Sequence, residues 1–226
     1  MAKTLYNIHV TLFYKENKMS RKIKKIKESI GKKEYNLLQA DLQSNKKIRP
    51  ATKRNLSRIY CNCFYTGIRL NENQGRYIII KRKEYRIGLF ASHIKELFVT
   101  GVTRYIVSKQ MIEKDLYLTP SYREDILKYF DLSANDDELV VSKGSNKNNK
   151  SPITIPTLID QVNKHMRSVL GKGFSSHSFR QGFITEMFQK KVDARIVQLT
   201  VGHRRVEQTQ SYYKPTKEDI RNNLIR

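Results

Sequence analysis

The chain is 226 residues long, with 38% hydrophobic and 29% charged residues, which is enough for one large domain or for a domain with an arm. It contains no run of about 18 apolar residues and no apolar core of a secretory signal, so we expect neither a membrane-spanning helix nor a cleaved leader. Lys and Arg number 44 against 21 Asp and Glu, and the net charge of +23 favours a polyanionic partner such as nucleic acid.

Residues 1–33 have the composition of a basic arm. Ser20 is a candidate N-cap, and lysines surround a narrow apolar stripe of isoleucines that ends at Gly31. This pattern predicts a basic amphipathic helix. Such a helix serves either as a contact to a DNA backbone or as a solvated face.

A denser apolar pattern begins at Pro50 and predicts a helix that ends near Gly67. The only two cysteines, Cys61 and Cys63, lie within this helix. They are too close together for a disulfide, and two thiols do not complete a zinc site. We therefore expect both cysteines to be reduced, as in an intracellular protein.

The rest of the chain is predicted to form short helices around a small sheet. Two β-rich runs that flank the tripeptide KRK predict a hairpin, and apolar residues at helical spacing predict the helices. The fold class that follows is α+β, mostly helical with a small antiparallel sheet. The predicted elements are strands at 76–80 and 84–90, helices at 91–108 and 121–131, a short strand at 138–142, and helices at 155–170, 178–190, 193–201 and 206–213.

Four short motifs contain residues suited to phosphodiester chemistry. Cleavage without a metal needs a nucleophile, cations that neutralise the non-bridging oxygens, and an acid that protonates the leaving oxygen. Arginine suits the second task because its planar fork donates two parallel hydrogen bonds to phosphate and keeps its charge. The motifs are TGIRLNE, KRK, HSFR and VGHRRVEQTQSYY, and the groups that they supply are Arg69, Lys81, Lys83, His177, Arg180, His203, Tyr212 and Tyr213.

In these motifs the sequence resembles the tyrosine recombinases, the family of phage integrases and Xer-type recombinases. The resemblance covers roughly residues 46–220 and consists of five elements in the order that the family has. TGIRLNE matches the box of the first arginine, with Arg69 as that arginine and Glu72 at the acidic position. HSFR matches the second box, with His177 and Arg180.

The same resemblance assigns the remaining residues. GH provides His203, and TQSY places the nucleophile at Tyr212, nine residues further on, with Tyr213 as its neighbour. Matching the hairpin outward from its YR dipeptide places the family's lysine at Lys81, with Lys83 as the alternative. Lys81 is only twelve positions after Arg69, which is a shorter spacing than in most members.

The resemblance implies a complete reaction. Tyr212 attacks a phosphodiester, forms a 3′-phosphotyrosyl link and frees a 5′-hydroxyl. The two arginines bind the non-bridging oxygens, the two histidines assist by hydrogen bonding and proton transfer, and Lys81 protonates the departing oxygen. Because the covalent link conserves the energy of the bond, the resemblance implies neither a metal nor any other cofactor.

The implied organisation is a short basic arm at residues 1–45, as a reduced core-binding region, followed by a catalytic domain at residues 46–226. The leading functional hypothesis is a site-specific recombinase or integrase that acts inside the cell, as a tetramer on two DNA duplexes, without a membrane. Two alternatives stay open. One is a topoisomerase with the same chemistry and no pairing of sites, and the other is a non-catalytic DNA-binding protein from a decayed mobile element.

Overall fold

The computed structural model describes residues 28–107, 111–143 and 151–213, together with Lys217 and Arg221. The basic helix predicted to begin at Ser20 lies mostly outside these residues. Its predicted end is wrong, because Gly31 has extended backbone and is the N-cap of the next helix instead. The Glu34 carboxylate accepts a hydrogen bond from the Gly31 N–H at 3.0 Å, so the glycine begins a helix that the sequence pattern did not reveal.

The described part of the chain is mostly helical, which confirms the predicted fold class. None of its helices is long and apolar enough to cross a bilayer. The helices are α1 Lys32–Ser44, α2 Pro50–Thr66, α3 Ala91–Thr100, α4 Pro120–Tyr129, α5 Ile155–Leu170, α6 His177–Gln189, α7 Ala194–Val201 and α8 Val206–Gln210.

The strands form two antiparallel hairpins, each a two-stranded sheet: β1 Arg76–Ile80 with β2 Lys83–Ile87, and β3 Val102–Val107 with β4 Ile112–Tyr117. The first hairpin confirms the strand pair predicted around KRK. The second was missed, because the sequence pattern predicted one helix over 91–108. That helix stops at Thr100, since Gly101 takes the left-handed conformation with φ of 83° and β3 follows directly. The strand predicted at 138–142 is reduced to single bridges at Leu139 and Ser142.

Helix α2 is the centre of the hydrophobic core. It packs against α1, α4 and α6, and its own buried residues include both cysteines, which are free thiols. Burial raises the pKa of the Cys63 thiol to about 12 and that of Cys61 well above its usual range. Helix α1 shares this core through Tyr35, Leu38 and Leu42, although the sequence pattern placed these residues in the arm. The division at residue 45 stays a prediction.

A buried histidine ties α1 to α2 and α5. The carboxylate of Asp41 lies 3.0 Å from His165 Nε2, and the Tyr60 hydroxyl lies 2.9 Å from Nδ1. Because a carboxylate only accepts, Nε2 donates to Asp41, and neutral His165 then accepts from Tyr60 at Nδ1. Burial lowers the pKa of His165, in spite of the opposing effect of Asp41, which favours this neutral form.

The chain entering α1 crosses α6 at very short distance. The Ile30 N–H donates to the Ser178 carbonyl at 3.0 Å, and a Cβ atom on Gly182 would lie 2.0 Å from the Ile30 carbonyl oxygen. Only glycine therefore permits this crossing, which places α1 against the helix that carries His177 and Arg180.

We expect Gly182→Ala to lower the free energy of unfolding by about 1–3 kcal/mol, because the new methyl group displaces the backbone at Ile30. Chemical denaturation measures the loss, and the exposed residue Gln189 on the same helix provides the control variant Gln189→Ala. Equal stability of the two variants would show that residue 30 does not press against α6.

Candidate active site

Arg69 is positioned by the way in which α2 ends. Gly67 takes the left-handed conformation with φ of 61°, which stops the helix and turns its own carbonyl toward Arg180 Nη1, at 2.8 Å. A Cβ atom on Gly67 would lie 2.5 Å from the Phe183 ring, so the turn packs directly on α6. The Thr-Gly pair of the motif therefore fixes the segment that leads to Arg69.

Glu72 lies beneath Arg69 and accepts four hydrogen bonds. A 3-10 turn at Leu70–Asn73 brings Oε1 to 3.2 Å from both the backbone N–H and Nη1 of Arg69. The other oxygen, Oε2, accepts from Lys114 Nζ at 3.3 Å and from the Tyr105 hydroxyl. Burial acts to raise the pKa of Glu72, but Lys114, Tyr105 and the two arginines outweigh burial and hold this pKa below its usual value.

Arg180 is almost fully buried and reaches three acceptors in three segments. Nη1 donates to the Gly67 carbonyl, Nη2 donates to the Val201 carbonyl at 2.7 Å, and Nε donates to His203 Nε2 at 3.3 Å. Burial and the neighbouring Arg69 lower the pKa of Arg180 to about 10, so it stays cationic at neutral pH. Among the described residues, these partners take up three of the five N–H bonds of Arg180. Two N–H bonds therefore remain for a ligand.

His203 follows directly on the end of α7, where Gly202 takes φ of 69°. Since an arginine N–H only donates, Nε2 of His203 accepts, and the proton of the neutral ring resides on Nδ1. Nδ1 then donates to Thr209 Oγ1 on α8, at 2.9 Å. Burial, together with the cations Arg180, Arg69 and Lys114, lowers the pKa of His203 to about 4.

The two adjacent tyrosines have different surroundings. The ring of Tyr212 stacks on His203, with centroids 5.5 Å apart, and its hydroxyl interacts electrostatically with Arg180. The ring of Tyr213 stacks on Phe188 instead, at 5.0 Å. The first of the pair is therefore in contact with the cluster that the motifs predict.

Four of the predicted site residues are assembled in one cluster. Arg69, Arg180, His203 and Tyr212 come together, and His177 lies on α6 three residues before Arg180, hence on the same helical face, with its side chain exposed. Lys81 is exposed in the turn of the first hairpin, where its φ is 50°. Among the described residues we find no hydrogen bond or ion pair that joins Lys81 to the cluster. Its role stays a prediction.

Two members of the cluster were missed. Tyr105 and Lys114 lie directly opposite each other on β3 and β4, and both reach Glu72. The alternation of buried and exposed positions along each strand was the available signal. It was overlooked because the run containing Tyr105 was interpreted as part of a helix.

The cluster as a whole suits a small anion. Arg69, Arg180 and Lys114 are cationic, Glu72 is the carboxylate among them, and His203 is neutral, so positive charge is in excess. Arg69 keeps 28% of its side chain exposed beside the buried Arg180, which gives an incoming group access to two guanidinium forks.

The family model described as Phage integrase family matches residues 28–219. The chain belongs to this family. Among curated relatives in the phage integrase family, tyrosine recombinase XerA of Pyrococcus horikoshii is 34% identical over 88 residues, which are 38% of this chain and 30% of that relative. Tyrosine recombinase XerD of Chlamydia pneumoniae is 29% identical over 98 residues, which are 43% of this chain and 30% of that relative.

Solved structures of two recombinases share the fold. A XerH site-specific recombinase bound to difH substrate, in a pre-cleavage complex, matches with a TM-score of 0.56 and 17% identity over 90% of this chain and 55% of that chain. A XerA recombinase matches with a TM-score of 0.56 and 16% identity over 86% of this chain and 63% of that chain. The chain therefore corresponds to only part of these relatives.

The lowered pKa of His203 predicts how stability depends on pH. The unfolded chain binds a proton at this residue near pH 6.5, whereas the folded chain does so only near pH 4. The contribution of neutral His203 to the free energy of unfolding is therefore fully present above pH 6.5 and is lost as the pH falls toward 4. We expect His203→Gln to reduce the acid-induced loss of unfolding free energy by about 1–2 kcal/mol, with allowance for solvent screening.

Denaturation at a series of pH values measures this difference. His93 and His165 stay in both proteins, so the comparison isolates His203. Parallel curves for the wild-type protein and the variant would contradict the lowered pKa.

Proposed function

We propose that the chain cuts and rejoins duplex DNA as a site-specific recombinase or integrase, with Tyr212 as the nucleophile. The observation that carries the proposal is one continuous line of contacts. Tyr212 stacks on His203, His203 accepts from the buried Arg180, and Arg180 lies beside Arg69. Nucleophile and phosphate-binding groups thus converge on a single place.

In the proposed reaction the phenolic oxygen of Tyr212 attacks phosphorus while the bond from phosphorus to the 5′-oxygen breaks. Arg69 and Arg180 neutralise the non-bridging oxygens, where charge grows in the transition state. His177 and His203 assist by hydrogen bonding, and His177 is the candidate that accepts the phenolic proton, because Arg180 and Thr209 already engage both ring nitrogens of His203. A lysine supplies the proton that the departing 5′-oxygen needs, and Lys81 is the candidate from the motif. Attack by a 5′-hydroxyl on the phosphotyrosine reverses the step and releases Tyr212.

The partners in this proposal follow from charge and from the family. A net charge of +23 favours duplex DNA, and rejoining to a different strand requires two duplexes, for which we propose a tetramer. An intracellular setting is part of the proposal, because the substrate is DNA and both cysteines are free thiols.

Neither alternative is favoured by the site. A protein that only binds DNA has no need of a tyrosine stacked on a neutral histidine beside two arginines. A topoisomerase shares the chemistry and differs only in lacking paired sites. Relaxation of a supercoiled plasmid without recombination of paired target sites would favour the topoisomerase.

The nucleophile is tested with a nicked duplex that traps the phosphotyrosyl adduct. We expect Tyr212→Phe to bind DNA normally and to form no adduct, since only the attacking oxygen is removed. Tyr213→Phe provides the matched control and keeps most of the activity, because its ring packs on Phe188. An adduct that persists in the first variant and disappears in the second would reassign the nucleophile to Tyr213.

The general acid is tested with a substrate that carries sulfur at the 5′-bridging position, since a thiolate leaves without a proton. We expect Lys81→Ala to slow cleavage of ordinary DNA by roughly 10²–10⁴-fold and to recover nearly full rate on the sulfur substrate. Lys83→Ala is the neighbouring control and is mild on both substrates, because the Lys83 ammonium lies over the Tyr85 ring, 5.5 Å from its centroid. Arg180→Ala shows no recovery, because its target is the non-bridging oxygens.

Two further lysines complete this series. Lys114 has its ammonium in the cluster, and Lys109 stands between β3 and β4 in the sequence, outside the described residues. If an alanine variant of Lys83, Lys109 or Lys114 recovered its cleavage rate on the sulfur substrate and Lys81→Ala did not, that other lysine would be the general acid.

A further inference from the structure

The second hairpin directs two side chains at one carboxylate oxygen. Tyr105 on β3 and Lys114 on β4 are directly opposite in the strand register, and both donate to Oε2 of Glu72. Arg69 contacts the other oxygen, Oε1, through its backbone N–H and Nη1. The two oxygens of Glu72 are thus shared between the hairpin on one side and Arg69 on the other.

Burial sets this ion pair apart from a surface contact. The side chain of Lys114 is 5% exposed and that of Glu72 is 0% exposed. A buried ammonium is stable only when a partner compensates for its lost hydration, so Lys114 depends on Glu72 and the carboxylate on its donors. Removing one member leaves an uncompensated charge and forces the others to rearrange.

The sharing of oxygens has a consequence for Arg69. If Oε2 lost its donors, the carboxylate would be able to turn both oxygens to the guanidinium, which is the arrangement that arginine and carboxylate prefer. Arg69 would then be neutralised by two parallel hydrogen bonds and drawn away from an incoming phosphate. With Oε2 occupied, Glu72 restrains Arg69 and leaves most of its donors available.

We propose that Lys114 and Tyr105 are positioning residues, which hold Oε2 of Glu72 so that Arg69 stays aimed at the non-bridging oxygens of the phosphodiester. The inference rests on the proposed function. It assigns Lys114 a task other than proton donation, because its ammonium is buried against Glu72. Lys114 thus acts on the reaction only through Glu72 and Arg69.

Three DNA substrates separate these roles: ordinary DNA, the 5′-bridging sulfur substrate, and DNA with a methylphosphonate at the cleavage site. A methyl group in place of a non-bridging oxygen removes the charge that Arg69 neutralises. We expect Lys114→Met and Tyr105→Phe to slow single-turnover cleavage of ordinary DNA by about 10-fold to 100-fold, as a misplaced group does. On the methylphosphonate substrate these variants recover most of the lost rate. On the sulfur substrate they recover none of it.

Reference variants fix the interpretation. Arg69→Ala should show the same pattern with a larger loss, and Lys114→Arg should retain most of the wild-type rate because it keeps the charge. Lys128→Met is the matched control, since Lys128 pairs with Asp125 at 2.9 Å outside the cluster. Sulfur rescue of Lys114→Met would make Lys114 the general acid and overturn the inference, as would an unchanged rate.

A second measurement does not depend on cleavage. NMR of the arginine Nε–H groups should show a displaced Arg69 signal in Lys114→Met that returns to its wild-type position in Lys114→Arg. An unmoved signal overturns the inference. If the wild-type protein forms no tyrosine adduct, the proposed function fails, while this signal still decides the role of Lys114. Tyr105→Phe, which keeps the buried ring, serves if Lys114→Met does not fold.

Discussion

The guanidinium of Arg180 is the interaction on which the candidate site depends. It joins the end of α2, through the Gly67 carbonyl, to the end of α7, through Val201 and His203. Because Thr209 and Tyr212 follow His203 on and after the short helix α8, the proposed nucleophile Tyr212 is positioned relative to the same group. In the proposed reaction, phosphate binding and attack therefore both depend on the position of this one side chain.

The acceptors of Arg180 also explain how a buried cation is tolerated. The carbonyls of Gly67 and Val201 lie at the C-terminal ends of two helices, where the aligned peptide dipoles carry partial negative charge. These dipoles and the nearby Glu72 offset part of the cost of burial, while the hydrogen bonds of Arg180 among the described residues go to carbonyls and to His203. The charge of Arg180 thus stays available to a ligand, whereas an acidic partner in contact would have neutralised it.

Sequence patterns predicted the local features and missed those that depend on distant contacts. Helices with a clear apolar stripe, such as α5, and the left-handed stop at Gly67 follow from neighbouring residues alone. The pairing of Glu72 with Tyr105 and Lys114 spans 33 and 42 positions, and no periodicity connects residues that far apart. Motif order brought Arg69, Arg180, His203 and Tyr212 to one place. The role of Lys81 stays a prediction, because the spacing of a hairpin along the chain does not fix its location in space.

Helix α2 carries its own reporter of motion. Cys61 and Cys63 are fully buried on the helix whose last turn leads to Gly67 and Arg69, and their thiols are strongly disfavoured from ionising. A thiol reagent reaches them only when α2 separates from its neighbours, so the rate of labelling under native conditions counts such openings. A comparison of the labelling rates with and without DNA would then measure how far DNA binding suppresses the opening of α2 beside the candidate site.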